Sequence, residues 1–546
     1  MELGRRVLRG EKVVKAKILK YLWVAVFAGV AVYFGIYIYQ MVKILGSPYG
    51  LEYGDGWNAY IANWWGKGGL NYIYPPVDRA LPFFNMPYTP LYYLIVGTFY
   101  PLTGPVFWVG RVVSILAAFG TSFLFFLIVK RLTGSKWWGI VAAILFFMPP
   151  VVRAWSLWFK VEPLALFFSF LGLYLVVRFN GTRRALWCVL PFLLAIYTKQ
   201  TYISAAVAAG IYFLITNRRL CLQYSVLMLL GGGATLGLFQ FLTNGNFIPS
   251  IFAAPSGMPK SWQLSAYLMG SIVIYHWVII ILALCTVMFL VRKRRWSTPT
   301  ILFAFYFLVA TVVLAGISTK AGGWLSYSYE MLPAAMILIP VLAWEFSRSR
   351  SIPVGVGTYP DYGFYKGEKH YSLNIKAGGN GASIFQFLVP VLLVIQLFIL
   401  PSYFSWSNLP KSTFTDYQVV LSYLEKVPKD IPVYSEVEEL MIWTGREPLI
   451  EPSVYSQRVI NNKVDGLPFL RMVENKELGL IIQEWDINSY WEVTSGEHWP
   501  NWLPEEIRKL YTAGRMRSTD ELAAAVRDNY QLVEHVGKFW VYEPKP

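Results

Sequence analysis

The sequence predicts a polytopic α-helical membrane protein of about 11 transmembrane helices, followed by a C-terminal extracytoplasmic α/β domain. The chain of 546 residues is 55% hydrophobic and only 15% charged, a balance that is rare in soluble proteins. Residues 21–42 contain no charged side chain. At ~1.5 Å per residue this run reaches about 33 Å, enough to cross a hydrocarbon core of about 30 Å. After residue 403 the composition changes to mixed polar.

The lysines and arginines between the apolar runs predict the orientation. If the N-terminus is cytoplasmic, alternation of about eleven crossings places the basic clusters inside and leaves only scattered bases outside, as the positive-inside rule requires. The later clusters are Lys130/Arg131/Lys136, Arg183/Arg184, Arg218/Arg219, Arg292–Arg295 and Arg348/Arg350. We therefore expect a multi-pass protein of the plasma or inner membrane. The net charge of +16 has the same origin, so no nucleic-acid partner is expected.

The alternation also divides the chain into regions. Residues 1–403 form the expected transmembrane domain, with a long first outside loop at 44–106. Within this loop, "YTPLYYLIVGTFYPL" at 88–102 would invert every later basic cluster if it were a span, so we interpret it as interfacial or re-entrant. The aromatic rings of 57–65, "WNAYIANWW", are expected at the headgroup boundary. The inside loop 347–380 is expected to be flexible.

Residues 404–546 are expected to form the outside domain. Short apolar segments such as "IPVYSEVEELMIWTGREPLI" and "YQLVEHVGKFWVYEP" alternate with helical patterns, which is typical of α/β structure. The three cysteines lie in or beside apolar runs, and neither cysteines nor histidines have metal-ligand spacing.

Asp55 is the first candidate for chemistry. It lies between Gly54 and Gly56 at the start of the first outside loop, where glycines allow close approach of a ligand or unusual backbone angles. The same position also suits an N-cap of a helix that begins near Trp57, since Asp is a favoured capping residue. Both roles remain open at this stage.

A second group of polar residues lies on the same expected side of the membrane. Lys160 and Glu162 fall in "VVRAWSLWFKVEPLAL", with Glu162 at the start of a helix. Charges at such boundaries are often ordinary interface residues that snorkel or complement the helix dipole. Together, however, these bases and acids suit an anionic lipid phosphate. The further members are Arg111, Lys199, Lys320, Tyr327 and Glu330. We expect the loop 44–106 and the segment 151–162 to meet in one cavity at the outer membrane boundary, because both carry acids and aromatic residues on the same side.

Eight segments follow one another along the chain in a recognisable order: "YGDGWNAYIANWWGKGG", "PFFNMPYTPLYYL", "GRVVSILAAFGT", "KRLTG", "FKVEPLALFFSFLGLYL", "TKQTYISAAVAAGIYFL", "SYSYEMLPAA" and "SEVEELMIWTGREPLI". In this order of segments, nearly the whole chain resembles the GT-C membrane glycosyltransferases. It is most similar to the branch with protein O-mannosyltransferases, aminoarabinose transferases and Rgt-like bacterial sugar transferases. The resemblance implies the GT-C fold and sugar transfer from a polyprenyl-phosphate donor.

The resemblance also implies residue roles. Asp55 stands at the position of the first-loop catalytic acid, and Glu162 at that of the second-loop acid, two residues after the base Lys160. Arg111 matches the arginine at a helix start, while Lys199 and Lys320 match bases associated with the donor phosphate. We expect the donor phosphate or its lipid to be bound by Lys160, Arg111, Lys199 and Lys320. We expect substrate contacts at Tyr88, Tyr327, Glu330 and Trp57.

Two departures from the family pattern matter. Tyr88 precedes Thr89-Pro90 where some members have His or Lys, which leaves the substrate open. No acid directly follows Asp55, so we expect no cofactor and a metal-independent mechanism, with a divalent metal left as an alternative.

The sequence thus predicts an inverting hexosyl- or pentosyltransferase of the cell envelope. Asp55 would activate a hydroxyl of a lipid, polysaccharide or protein acceptor, and bases at the membrane boundary would neutralise the departing phosphate. A secondary transporter is the main alternative, although it would favour polar residues near the midplane of broken helices. A polysaccharide ligase that uses a diphosphate-linked donor and a non-enzymatic scaffold protein are the others.

Overall fold

The computed structural model is mostly helical. The residues that it describes are 2–51, 54–76, 81–83, 86–256, 259–295, 298–320, 325–348, 381–403, 413–490, 504–505 and 517–546. The expected flexible loop lies almost wholly outside these residues, as does the start of the expected C-terminal domain.

Seventeen helices precede the C-terminal domain in the described residues. They are α1 (Glu2–Leu45), α2 (Asp55–Gly68), α3 (Leu70–Ile73), α4 (Leu91–Thr103), α5 (Phe107–Thr133), α6 (Lys136–Leu145), α7 (Pro150–Leu157), α8 (Glu162–Arg178), α9 (Val189–Thr198), α10 (Ser204–Thr216), α11 (Arg218–Leu242), α12 (Phe247–Ser256), α13 (Trp262–Arg292), α14 (Thr300–Ile317), α15 (Ser328–Met336), α16 (Leu338–Arg348) and α17 (Gly381–Tyr403).

Several of these helices are suited to a membrane. In the described part of the chain, six helical segments are long and apolar enough to cross a bilayer, and α6 with α7 makes a seventh if this pair, bent by 72°, counts as one span. Helices α4 and α10 are apolar but shorter. The expected number of about eleven spans and the orientation of the termini stay predictions.

The segment that we interpret as interfacial or re-entrant forms most of helix α4. At ~1.5 Å per residue its 13 residues reach only about 20 Å, which is short for a hydrocarbon core. It packs against α2 at Gly97, where an added Cβ would lie 2.3 Å from the carbonyl oxygen of Ala62. The missing side chain therefore permits this close helix contact.

The aromatic rings of α2 do not lie where the sequence suggested. Trp57, Tyr60 and Trp64 are buried inside the protein, where they form a cluster against Ile442 of the C-terminal domain. The expectation that these rings face lipid headgroups is therefore wrong. Amphipathic spacing identifies an apolar helix face, but it cannot say whether lipid or another domain covers that face.

The C-terminal region is an α/β domain. Its elements are α18 (Phe414–Lys426), β1 (Val433–Ser435), α19 (Glu438–Thr444), α20 (Pro452–Ile460), α21 (Leu467–Glu474), β2 (Leu480–Gln483), α22 (Asp520–Asn529), β3 (Tyr530–Val536) and β4 (Phe539–Pro544). The sheet order is β1-β2-β4-β3. Strands β1 and β2 are parallel, whereas β4 is antiparallel to both of its neighbours. All residues of β2 are buried, as expected for a central strand with helices on the faces of the sheet.

Phe83 of the first loop joins this domain to the rest of the chain. Its backbone N–H donates to the carbonyl of Leu449 at 2.8 Å, and its carbonyl accepts from the N–H of Glu451 at 2.9 Å. The Phe83 ring packs on Tyr455 with centroids 5.3 Å apart. The first loop and the C-terminal domain therefore share backbone hydrogen bonds as well as side-chain packing.

Candidate active site

Asp55 is the first residue of α2 and is fully buried. Gly54 is the N-cap, with φ of 96°, a left-handed conformation that glycine adopts without strain. The Asp55 carboxylate instead accepts a hydrogen bond at Oδ2 from the backbone N–H of Leu51, 3.2 Å away. The alternative that Asp55 caps a helix beginning near Trp57 is therefore wrong.

Lys160 lies next to this carboxylate. Its Nζ is 3.7 Å from Oδ1 of Asp55. Two hydrogen bonds position the segment: Asn58 of α2 donates to the carbonyl of Phe159 at 2.7 Å, and Ser114 of α5 donates to the carbonyl of Lys160 at 2.9 Å. The first loop therefore contacts residues 159 and 160, as expected, whereas a shared cavity at the outer membrane boundary stays a prediction.

Glu162 forms a separate, buried ion pair with Lys199. Glu162 begins α8 and Lys199 is the C-cap residue of α9, so two helix ends meet here. Nζ and Oε1 are 2.7 Å apart, and the two side chains are 3% and 6% exposed. Since Lys160 also acts electrostatically on Glu162, acids and bases alternate from Asp55 through Lys160 and Glu162 to Lys199.

A group of lysines continues from this row. Lys320 pairs with Lys260 in an isolated antiparallel bridge. Burial, with Lys260 and Lys199 adding repulsion, lowers the pKa of Lys320 to about 8. Lys260 was not among the expected site residues, because nothing in the sequence indicates that positions 260 and 320 pair. Three lysines that are close enough to affect one another electrostatically are suited to an anion of more than one charge.

Tyrosines and one further acid surround Lys199. Its Nζ lies 5.1 Å from the ring centroid of Tyr88 and 5.9 Å from that of Tyr327, within the range of cation–π attraction. Glu330 is buried and accepts a hydrogen bond at 2.8 Å from the hydroxyl of Ser204. Lys199, Tyr327 and Glu330 line a cavity of about 10 Å³, which is room for roughly one water molecule. Tyr88, Tyr327 and Glu330 are thus beside Lys199, as expected for residues of one site.

Arg111 does not belong to the group that can bind a phosphate. It is fully buried, and its guanidinium donates to the backbone carbonyls of Ile44, Ser47 and Tyr49. The expectation of a donor-phosphate contact at Arg111 is therefore wrong. Its planar guanidinium group uses its N–H donors to fix the backbone at the start of the first loop.

Trp57 lies in an aromatic cluster against the C-terminal domain. Only 6% of it is exposed, and its ring lies against Tyr60 with centroids 5.9 Å apart. Because Trp57 is two residues after Asp55 in α2, the two side chains leave the helix in different directions. A substrate contact at Trp57 stays a prediction.

Two acids of the C-terminal domain reach the glycines around Asp55. A Cβ added at Gly56 would lie 2.6 Å from Oε2 of Glu439 and 2.9 Å from Oε2 of Glu438. A Cβ added at Gly50 would lie 3.2 Å from Oε1 of Glu439. Nothing in the sequence indicates that Glu438 and Glu439 lie beside these glycines, because the two segments are far apart in the chain. Among the residues described, no group of three or more His, Cys, Asp or Glu has the arrangement of a metal site.

Comparisons with known proteins agree with this architecture. The family model of dolichyl-phosphate-mannose-protein mannosyltransferase matches residues 86–244, which include Lys160, Glu162 and Lys199. A comparison with curated proteins finds no match.

Solved structures match over almost the whole chain. The apo crystal structure of ArnT from Cupriavidus metallidurans superposes with a TM-score of 0.57 at 12% identity, covering 94% of this chain and 97% of ArnT. The same ArnT bound to undecaprenyl phosphate gives 0.56 at 11% identity, with the same coverage. The Archaeoglobus fulgidus oligosaccharyltransferase in its apo form gives 0.53 at 10% identity, covering 86% of this chain and 70% of that one.

Agreement of this extent at such low identity means that the folds are alike although the sequences differ. The long apolar helices, the C-terminal α/β domain and these superpositions lead to one conclusion: the chain is a multi-pass membrane protein with the GT-C fold of membrane glycosyltransferases.

Proposed function

We propose that this protein is a membrane glycosyltransferase that moves a sugar from a polyprenyl-phosphate donor to an acceptor hydroxyl, with inversion at the anomeric carbon. The observation that carries the proposal is the alternating row Asp55, Lys160, Glu162 and Lys199. It puts a carboxylate at one end and a cluster of lysines at the other. Such a transfer needs a base beside the bond that forms to the acceptor oxygen, and cations beside the bond that breaks to the donor phosphate.

The lysine end suits the donor. As the bond between the anomeric carbon and the phosphate oxygen breaks, its electron pair leaves with the phosphate, and negative charge grows there. Lys199, Lys320 and Lys260 would stabilise that charge in a setting with little water, where fixed cations are most effective. That the ArnT of similar fold was crystallised with undecaprenyl phosphate supports a polyprenyl phosphate as the carrier.

The carboxylate end suits the acceptor. Oδ2 of Asp55 is occupied by the Leu51 N–H, whereas Oδ1 has no hydrogen-bond partner within the described ranges. An acceptor hydroxyl that donates to Oδ1 would lose its proton to Asp55 as its oxygen attacks the anomeric carbon. Attack from the side opposite the phosphate inverts the configuration.

Glu162 has a different place in this scheme. Its Oε1 is committed to Lys199 at 2.7 Å, so its main contribution is to hold that ammonium group toward the donor. Its second oxygen has no hydrogen-bond partner among the described residues, which keeps Glu162 as the runner-up for the base.

The test is transfer by the purified protein reconstituted in sealed vesicles, supplied with a panel of radiolabelled polyprenyl-phosphate and polyprenyl-diphosphate sugars and candidate acceptors. We expect one donor to release polyprenyl phosphate in amounts equal to the glycosylated product. Consumption of diphosphate-linked donors alone would identify a polysaccharide ligase instead. Movement of the donor across the bilayer without its consumption would identify a transporter.

The pKa of Lys320 makes a prediction about pH. Below about pH 8 Lys320 carries its charge, and as the pH rises through this value the charge is lost. We expect kcat/KM for the donor, which reports groups of the free enzyme, to fall about tenfold or more toward high pH, since a hydrogen bond to a charged group contributes about 1.5–3 kcal/mol. Measurement of kcat/KM from pH 6 to 10 checks this.

A matched pair of variants shows whether Lys320 is responsible. In Lys320→Arg the arginine stays charged from pH 6 to 10, so the decline in kcat/KM should move to higher pH. Lys463→Arg, at an exposed position of the C-terminal domain, should leave the profile unchanged. A decline at the same pH in Lys320→Arg would assign it to another group.

A further inference from the structure

The N-terminus of α19 lies directly on the turn that holds Asp55. Glu438 and Glu439 are its first two residues, and both are at least 96% buried. Glu439 contacts the turn on both sides of Asp55, since Oε1 approaches Gly50 and Oε2 approaches Gly56. The carboxylate of Glu439 therefore spans the two ends of the segment from which the Asp55 side chain extends.

Glu439 is itself held from the far side. Tyr417 of α18 donates a hydrogen bond to its Oε1 at 2.7 Å. The Tyr417 ring stacks on Tyr49, with centroids 4.8 Å apart and an interplanar angle of 14°. The carbonyl of Tyr49 accepts a hydrogen bond from Arg111. A continuous set of contacts thus runs from α5 through the first loop into the C-terminal domain and back to Gly50 and Gly56, the glycines on either side of Asp55.

The carboxyl groups of Glu438 and Glu439 are buried and close to each other, which favours their uncharged forms. Burial raises the pKa of Glu438 well above its usual value, and Glu439 beside it adds to the increase. Burial also raises the pKa of Glu439, although Lys538 and the Tyr417 hydrogen bond oppose this. A reduced negative charge on the pair lessens its repulsion of the Asp55 carboxylate.

We propose that Glu439 is a positioning residue of the reaction, through which the C-terminal domain holds the Asp55 carboxylate in place. This inference rests on the proposed role of Asp55 as base. Glu439 acts by shape and hydrogen bonding: it fills the space that Gly50 and Gly56 leave open, and Tyr417 keeps it there. The C-terminal domain therefore contributes a positioning residue to the active site.

The first experiment separates positioning from proton transfer. Glu439→Ala removes the group that spans the turn, and a displacement of about 1 Å at a reacting group can cost ~10²-fold. We expect kcat to fall by about that factor with little change in KM for the donor, since the lysines are untouched. Glu439→Gln keeps the shape and the acceptor for Tyr417, so it should retain most of the kcat that Glu439→Ala loses. Wild-type turnover in Glu439→Ala, or equal loss in both variants, would overturn the proposal.

A glycine substitution tests the same contact from the other side. Gly56→Ala adds a methyl group within 2.6 Å of the Glu439 carboxylate, so something must move. Alanine is otherwise the better helix former, and a loss of about 10²-fold in kcat would come from the contact. Gly237→Ala in α11 is the matched control, because an added Cβ there meets nothing within 4 Å. Normal activity of Gly56→Ala would contradict the proposal, even if Glu439→Ala failed to fold.

A disulfide cross-link tests the contact between α19 and the start of α2 without an activity measurement. We call this contact the docking of the C-terminal domain. A Cβ at position 56 would lie 3.2 Å from the Cβ of Glu438, close to the separation of about 3.5–4.5 Å found in disulfides. Gly56→Cys with Glu438→Cys should therefore form a disulfide in the full-length protein, detected by mass spectrometry, whereas Gly237→Cys with Glu438→Cys should not. Absence of the first cross-link would overturn the docking. If the cross-link forms but the wild type transfers no sugar, the proposed function fails and the docking stands.

Discussion

Asp55→Asn is expected to lower kcat by about 10²–10⁴-fold with the fold intact, which is the usual contribution of general-base catalysis. Asparagine has nearly the same size, and its side-chain oxygen can still accept the hydrogen bond from the Leu51 N–H. The helix begins in the same way, because Gly54 and not Asp55 is the N-cap. What is lost is a carboxylate oxygen that can take a proton.

The measurement is the rate of polyprenyl phosphate release at saturating donor, together with thermal unfolding in detergent. Asp430→Asn is the control, at an exposed position of the C-terminal domain, and it should turn over like the wild type. If Asp55→Asn keeps wild-type turnover while Glu162→Gln is inactive, the base is Glu162 and the two roles are exchanged.

Lys199→Met is expected to have the largest effect on stability. It leaves Glu162 as an unpaired charge in a place where both side chains were almost completely buried, and breaking a buried pair typically costs about 3–5 kcal/mol. Transfer should also be lost, because the phosphate loses one of its cations. Chemical denaturation in detergent measures the first effect, and kcat/KM for the donor measures the second.

A double variant separates the two effects. Lys199→Met together with Glu162→Gln removes both charges, so most of the lost stability should return while transfer stays absent. The control is the exposed pair Arg527 and Asp528, 3.0 Å apart; neutralising either residue should change stability by no more than about 1 kcal/mol. If the double variant regains activity along with stability, Lys199 is a structural residue and does not bind the donor phosphate.

The sequence by itself determined the class of the protein and the part of the chain that holds the site. Apolar runs and basic clusters are local patterns, and the bilayer imposes them on any chain that crosses it. Asp55 could be found in the same way, because a carboxylate between two glycines at the start of a loop is visible without knowing its neighbours. The meeting of this loop with residues 151–162 followed from placing both on one side of the membrane.

Only the tertiary structure decided which side chains meet. Lys160 pairs with Asp55 of the first loop, while Glu162, two residues after Lys160, pairs with Lys199 at the end of another helix. Arg111 donates hydrogen bonds to backbone carbonyls, and Glu439 of the C-terminal domain lies against Gly50 and Gly56, on either side of Asp55. Hydrophobic patterning fixes which elements exist and on which side they end, but not how helices pack laterally, since that depends on shape complementarity between side chains far apart in the chain.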